Sequence, residues 1–348
     1  MNEIQTLLTE LSACTGVSGQ EEGAAGYIRR FMEPFSHCRT TPLGSLICTV
    51  GEGRGSKLMT ASHMDEIGFI VTHIEDSGFL RIANVGGIDR KLYASACVTV
   101  HTARGGLPGV IASTPPHLRS GGDKALPAAD EVSVDVGLSG ERARELIRPG
   151  DRVTMDVPGV LLADGSVSAK ALDDRACCAA VMLAARELAG KDLPLELDFV
   201  FTTMEEVGSQ GAQTAAAALQ PDYAVALDVS FAVAPDVSPN NCGKLGGGPM
   251  LGIAPVLDNA ETDRIIRLAR EAELPLQYEV MSGSTGTDAD EIAAAGRGVR
   301  TVLLSIPQKY MHTPVEVVDP EDVRRTALLL ERYITDLAAR LEGGYHAD

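Results

Sequence analysis

Tryptophan is absent and aromatic residues make up only 4% of the 348 positions, so composition carries no hint of which side chain a binding pocket would prefer. Paired cysteines are missing too. The seven Cys residues, an odd number, include no Cys-x-x-Cys pair, which argues against a zinc ribbon or a disulfide framework. The seven, with neighbours such as Cys177 and Cys178 inside an apolar run, read as buried free thiols in a reducing compartment. Basic charge is in deficit, with 30 Lys+Arg against 48 Asp+Glu and a formal charge of -18. Such a balance repels phosphate backbones and anionic lipid and attracts metal cations, so neither nucleic acid nor a membrane is an expected partner. No apolar run approaches membrane-spanning length. The segment Met1 to Glu10 lacks the cationic start and apolar stretch of a secretory leader, and the expected compartment is the cytoplasm.

What is present fits an ordinary folded protein: 45% hydrophobic and 22% charged residues. The length exceeds one typical core, so a large domain carrying a smaller one is expected. Helical spacing of Ile4, Leu7, Leu8 and Leu11 is broken at Thr15–Gly19 before a second helix over Glu21 to Met32. The β-rich runs Leu46 to Val50 and Lys57 to Ser62 flank the glycines of Gly51–Gly55, a hairpin or tight connection that delivers His63 at a strand end. Open α/β sheets bind ligands outside the carboxyl ends of their strands, which makes that position informative. Between residues 68 and 160 the texture changes to short β segments (Phe69 to Ile74, Phe79 to Ala83, Ala96 to Thr102, Gly109 to Ser113, Glu131 to Val136), as in a small inserted β-barrel. Strand and helix signals then alternate from Ala176 to Leu341. The expected fold is α/β: a mostly parallel-sheet α/β/α sandwich formed by residues 1–67 and 161–348, with the barrel as residues 68–160.

Five short segments put acidic or imidazole side chains at strand ends or Gly turns: Ser62–Gly68, Ala171–Arg175, Met204–Gly208, Ala226–Ser230 and Tyr310–Pro314. Singly each is weak, since a strand-end His or a Glu-Glu pair is usually a surface feature. Together His63, His312 and several carboxylates form the donor set that zinc, cobalt or manganese favours. Two divalent ions balanced by three carboxylates and a hydroxide make a near-neutral site that a poorly solvated cleft tolerates. Peptide hydrolysis needs an acidified water, a stabilised oxyanion and a base, and a metal pair supplies the first two. Adjacent Glu205 and Glu206 diverge on extended or turning backbone, so one can ligate while the other shuttles the proton. Asp65 either orients the imidazole of His63 or is an ordinary turn carboxylate, whereas Asp174 reads as a turn or salt-bridge residue with Arg175. His37, His73, His101, His117 and His346 lack partner carboxylates and read as surface or structural residues. Cys97, Cys177 and Cys242 sit in no nucleophile turn. The glycine clusters Gly246–Pro249 and Ser282–Asp288 read as tight loops, the second lining a substrate pocket.

These motifs, with Glu316 following His312, resemble the tetrahedral or glutamyl aminopeptidases, a family of cocatalytic metallopeptidases, from Leu11 nearly to the C-terminus. The resemblance extends to the insertion, at Glu131–Gly137 and Arg148–Asp151. It implies that Asp173 bridges two divalent ions, with His63 and Asp228 on one and Glu206 and His312 on the other. Glu205 would be the general base, Asp65 would support the site, and the bond after Asp173 would be cis. It also implies peptide substrates cut at their N-terminus and self-assembly into a homo-oligomer, often a dodecamer. Lys309 departs from the Arg that relatives commonly carry there, a change that bears on subsite or assembly contacts. Alternatives are a deacylase or carboxypeptidase of the same clan, an endoglucanase-like glycoside hydrolase, or a non-enzymatic shell protein.

Overall fold

The structure, a computed structural model, describes residues 1–112, 126–235 and 237–343. His117, His346 and the end of the strand expected at Gly109 to Ser113 lie outside the described residues. Helix α1 (Glu3–Ala13) starts from a reciprocal cap between Asn2 and Gln5, and α2 (Glu22–Met32) follows after the Thr15–Gly19 break. Strand β1 (His37–Thr40) then pairs antiparallel with the start of β2 (Leu46–His63).

Gly51, Gly53 and Gly55 all take positive φ, and there β2 doubles back on itself. Its first arm pairs with β11 (Leu195–Thr202) in falling register, Leu197 with Val50 and Phe201 with Leu46. Its second arm pairs in rising register, Leu197 with Leu58 and Thr202 with His63. The glycine run is therefore a wide hairpin, and β11 lies in the slot between its arms.

The chain next builds a closed six-stranded barrel from β3 (Gly68–Ile74), β4 (Leu80–Val85), β5 (Cys97–Thr102), β6 (Gly105–Ile111), β7 (Ser133–Asp135) and β8 (Arg152–Met155), with α3 (Gly140–Leu146) packed beside it. Closure leaves no unpaired edge, and alternate residues such as Phe69, Val71, Leu80, Ile82, Val98 and Val100 fill a core of its own. The chain returns through β9 (Val160–Leu161) and β10 (Val167–Ala169) to α4 (Leu172–Ala189). After β11 come α5 (Gln210–Leu219), β12 (Tyr223–Phe231), β13 (Met250–Ile253), α6 (Asn259–Glu271), β14 (Gln277–Val280), α7 (Asp288–Ala293), β15 (Arg300–Lys309), β16 (Glu316–Val318) and α8 (Pro320–Glu342).

In the large ten-stranded sheet the second arm of β2 runs parallel to β11 and β12, and β12 runs parallel to β15; antiparallel strands β1, β16, β10 and β9 extend it outward. Period-two alternation divides the central strands between two faces. Phe199, Phe201, Val225, Leu227, Val302 and Leu304 pack with α1, α2, α4, α6 and α8. Val200, Ala224, Ala226 and Leu303 pack with α5 and α7. Strand β11 is buried along its whole length, with Leu195, Leu197, Phe199, Val200 and Phe201 apolar, as expected of a strand covered on both faces. Helices on both sides of a largely parallel sheet give the expected α/β/α sandwich. No helix of the described residues is long and apolar enough to cross a membrane.

Candidate metal centre

The carboxyl ends of the parallel strands converge on one cleft. His63 ends β2, Asp228 lies in β12, the turn holding Glu205 and Glu206 follows β11, and His312 follows β15. Asp173 comes from the start of α4. Four non-glycine residues beside or within this set, Ala171, Met204, Tyr310 and His312, have φ of 55°, 59°, 59° and 61°. Left-handed backbone at such residues is costly and clusters where surrounding structure fixes a site. The Asp173–Asp174 peptide is cis.

Asp173 occupies the middle. Its Oδ1 lies 3.0 Å from His63 Nε2 and its Oδ2 lies 3.3 Å from His312 Nε2. Asp228 Oδ1 is 3.9 Å from His63 Nε2, and Glu206 Oε2 is 3.4 Å from His312 Nε2. Glu205 Oε2 approaches the other imidazole, 4.0 Å from His63 Nε2. Ligand atoms of His63, Asp173 and Glu206 lie within 4.8 Å of one another, as do those of His63, Asp174 and Asp228. The candidates His63, Asp173, Glu205, Glu206, Asp228 and His312 thus meet in one place.

Asp65 is wholly buried beneath them. Its Oδ1 accepts the backbone N–H of Glu205 at 3.1 Å and its Oδ2 that of Glu206 at 3.3 Å. His63 Nδ1 stands 3.4 Å from Asp65 Oδ1 in a geometry short of a hydrogen bond. Asp65 therefore both faces the imidazole and holds the glutamate turn.

Sequence reading missed several partners. Ser18 Oγ donates to Asp65 Oδ2 at 2.6 Å, and Glu21 Oε1 accepts Met204 N–H at 3.3 Å, so the loop between α1 and α2 braces the same turn. Glu316 accepts the N–H of Asp173 at 3.0 Å through one oxygen and that of His312 at 2.9 Å through the other. Asp174 forms no pair with Arg175, whose guanidinium goes to Glu66 and to main-chain carbonyls of α1. Asp174 instead accepts the N–H of His63 at 3.2 Å. Cys177 and Cys178 donate their thiols to the carbonyls of Asp228 and His63. Asp288, at the end of the Ser282–Asp288 loop, is buried and accepts from Thr202 Oγ1. Nothing local in the sequence marked Ser18 or Glu21, whereas Asp174, Glu316, Cys177, Cys178 and the loop ending at Asp288 stood out without their partners being evident. As for the remaining histidines, His37 and His73 are exposed, and His101 pairs with Thr154 Oγ1 at 2.8 Å.

The barrel reaches the site at the end of β4. A Cβ on Gly87 would lie 3.0 Å from His312 Nδ1, and one on Gly86 would lie 3.3 Å from Glu206 Oε2. Bare backbone is what fits there.

Electrostatically the centre is overloaded with acid. Burial pushes the carboxyls of Asp174, Asp228 and Glu316 well above the usual range, Glu205 up to about 7 and Glu206 up to about 8. Burial works against Asp173 too, but its hydrogen bonds with His312 and His63 outweigh it and hold that carboxyl low. Bonding to Asp173 raises His312 to about 9. For His63 burial pulls downward, yet Asp173 and Asp65 carry the imidazole well above its ordinary value. Two imidazoles cannot neutralise this many carboxylates, and His63 Nδ1 and Asp174 Oδ1 are buried without hydrogen-bond partners. Divalent cations would supply the missing positive charge to a nitrogen and oxygen donor set suited to them.

Comparison with known proteins agrees. A family model described as M42 glutamyl aminopeptidase matches residues 44–329. Lysyl aminopeptidase of Pyrococcus furiosus is 32% identical over 340 residues, covering 95% of this chain and 96% of that protein. A TET aminopeptidase from a marine-sediment Thaumarchaeota archaeon superposes with a TM-score of 0.92 at 30% identity, covering 99% of both chains. Pyrococcus horikoshii TET1 peptidase, which can assemble into a tetrahedron or a large octahedral shell, gives 0.86 at 33% identity over 97% of this chain and 99% of its own.

Proposed function

The chain belongs to the M42 glutamyl aminopeptidase family and is a metal-dependent aminopeptidase, and on that premise we propose a division of labour among its side chains. His63 and Asp228 hold one divalent cation, Glu206 and His312 hold a second, and Asp173 serves both. The observation that carries this reading is Asp173 itself, whose two oxygens face two different imidazoles at 3.0 and 3.3 Å. Zinc or cobalt suits the donors best, with manganese next. When bound, such ions acidify water and stabilise negative charge on a peptide carbonyl oxygen.

The remaining work falls to the chain. Glu205, with no ligand role, takes the proton from the attacking water and returns it to the leaving amine. Asp65 keeps the imidazole of His63 aligned and pins the N–H groups of Glu205 and Glu206, so that the base and its neighbour keep their separation. Glu316 fixes Asp173 and His312 by their backbones. A glycosidase would use two carboxylates and leave both imidazoles without a task.

We further assign residues 1–67 and 161–348 to catalysis and 68–160 to assembly, with the chain working as a cytoplasmic homo-oligomer, a dodecamer in the simplest case, on peptide substrates. Purified protein is expected to cleave aminoacyl chromogenic amides, to stop on chelation, and to resume with cobalt, zinc or manganese. N-acetylated amides should remain intact, which separates aminopeptidase from deacylase. Unchanged cleavage after complete metal removal would end this reading.

A further inference from the structure

Outside the set of ligand candidates, two cysteines face each other. Cys38 in β1 and Cys48 in the first arm of β2 are direct cross-strand partners in the antiparallel register. Opposed residues on such strands have Cα atoms about 4.5 to 5.5 Å apart, within the roughly 4.4 to 6.8 Å that a disulfide spans. Their sulfurs are 2.7 Å apart, inside non-bonded contact and not far above the ~2.05 Å of a bond. Cys48 is fully buried, whereas Cys38 is partly open to solvent.

We propose that Cys38 and Cys48 form a thiol-oxidation site, converted by a peroxide into an intramolecular disulfide that staples the β1–β2 hairpin. The surroundings favour attack through Cys38. The Cys48 thiol hydrogen-bonds to it and, against burial and aided by Ser36 Oγ and the Arg29 guanidinium, brings the Cys38 thiol down to about 7. The same contact, with burial, drives Cys48 upward and leaves it the resolving partner. The Cys38 thiolate attacks the O–O bond of hydrogen peroxide, giving a sulfenic acid at Cys38 and, after protonation of the departing hydroxide, one water. The Cys48 sulfur then attacks the Cys38 sulfur; the S–S bond forms, the S–O bond breaks, and the hydroxyl leaves with the Cys48 proton as a second water. Each sulfur loses one electron and the peroxide gains two.

The staple acts on a segment that touches the catalytic turn. The hairpin connection lies against Thr203: Thr203 Oγ1 donates to the Leu43 carbonyl at 3.0 Å, and Thr203 N–H donates to Ser45 Oγ at 3.3 Å. Met204 and Glu205 follow at once. Closing the 38–48 loop thus stiffens the brace behind the glutamates. The bond itself is independent of the proposed catalysis; its reach into the cleft rests on that reading.

The test treats the metal-loaded protein with hydrogen peroxide, then combines non-reducing peptide mapping with amide hydrogen exchange. A linked Cys38–Cys48 peptide that dithiothreitol reverses is expected, with exchange at Leu43–Ser45 and Met204–Glu206 slowed about tenfold. Cys38→Ser, and separately Cys48→Ala, should abolish the linkage and the slowing while the reduced proteins retain wild-type cleavage. Recovery of both residues as free thiols, or each oxidised singly to sulfinic acid, overturns the site. Linkage with unchanged exchange at Met204–Glu206 overturns its connection to the cleft.

Discussion

Glu205 and Glu206 are neighbours in the chain yet end beside different imidazoles, Glu205 Oε2 4.0 Å from His63 Nε2 and Glu206 Oε2 3.4 Å from His312 Nε2. Met204, in left-handed backbone, opens the short turn that separates them, and Asp65 holds both of their N–H groups. Their substitution should therefore have different consequences. Glu205→Gln is expected to bind metal as the wild type does while kcat falls by roughly two to four orders of magnitude, the share of a general base. Glu206→Gln should instead lose bound metal. Metal analysis beside steady-state kinetics decides, and loss of metal from Glu205→Gln would reverse the assignment.

Ser18 supplies Asp65 with its shortest hydrogen bond, 2.6 Å, in a fully buried setting. Removing a neutral donor from a buried carboxylate costs about 1.5 to 3 kcal/mol. Ser18→Ala should show that loss in denaturant titration together with kcat lower by about tenfold, because Asp65 also sets the glutamate turn. Kinetics indistinguishable from wild type would confine Ser18 to a stabilising role.

Arg175 is entirely buried, with Glu66 at 3.1 Å and the carbonyls of Leu11 and Cys14 at 2.9 and 2.6 Å. Arg175→Met fills the volume but strands those acceptors, and is expected to destabilise by about 3 to 5 kcal/mol. Lys170, 2.6 Å from Glu66, keeps that carboxylate partly paired and places the value toward the lower end. Equilibrium unfolding measures it; a change under about 1 kcal/mol would mean that water replaces the guanidinium.

Asp322, which no ligand candidate touches, offers a separate pH signature. Burial lifts its carboxyl to about 6, in spite of the N–H groups of Gly248 and Gly246 that it accepts. An unfolded aspartate titrates near ~3.9, so between these values the folded chain holds the proton more tightly. The stability from this group is complete below about pH 4 and is lost as pH rises to about 6, a change of roughly 2 to 3 kcal/mol. Asp322→Asn should flatten that part of the stability curve. An unaltered curve would show that Asp322 is charged throughout.

Much of this was legible in the chain because it is locally encoded. Helical spacing at Ile4–Leu11 and the β-rich stretch Leu195–Thr202 mark their elements without help from the rest of the fold, and His63, Glu206, Asp228 and His312 stand in or just after strands while Asp173 opens a helix. The short strands Met250–Ile253, Arg152–Met155 and Glu316–Val318 carry too few residues for a period to emerge. The supporting residues were hidden for another reason. Ser18 meets Asp65 across 47 positions, Glu316 meets Asp173 across 143, and Glu21 meets Met204 across 183, so no local pattern announces them. Asp174 reads as a turn or salt-bridge residue in the sequence because its neighbour Arg175 offers a nearer partner than the N–H of His63 that the fold provides.

The slot between the two arms of β2 bears on how the protein is made. Both arms leave the ribosome within the first 63 residues, but the strand that fills the gap between them is Leu195–Thr202. Until then two rows of backbone donors and acceptors face an empty channel, and the barrel, whose strands are contiguous between Gly68 and Met155, is free to close first. A nascent chain stalled before residue 195 should therefore carry a finished barrel on an unzipped sheet, the form most exposed to mispairing and most in need of a chaperone.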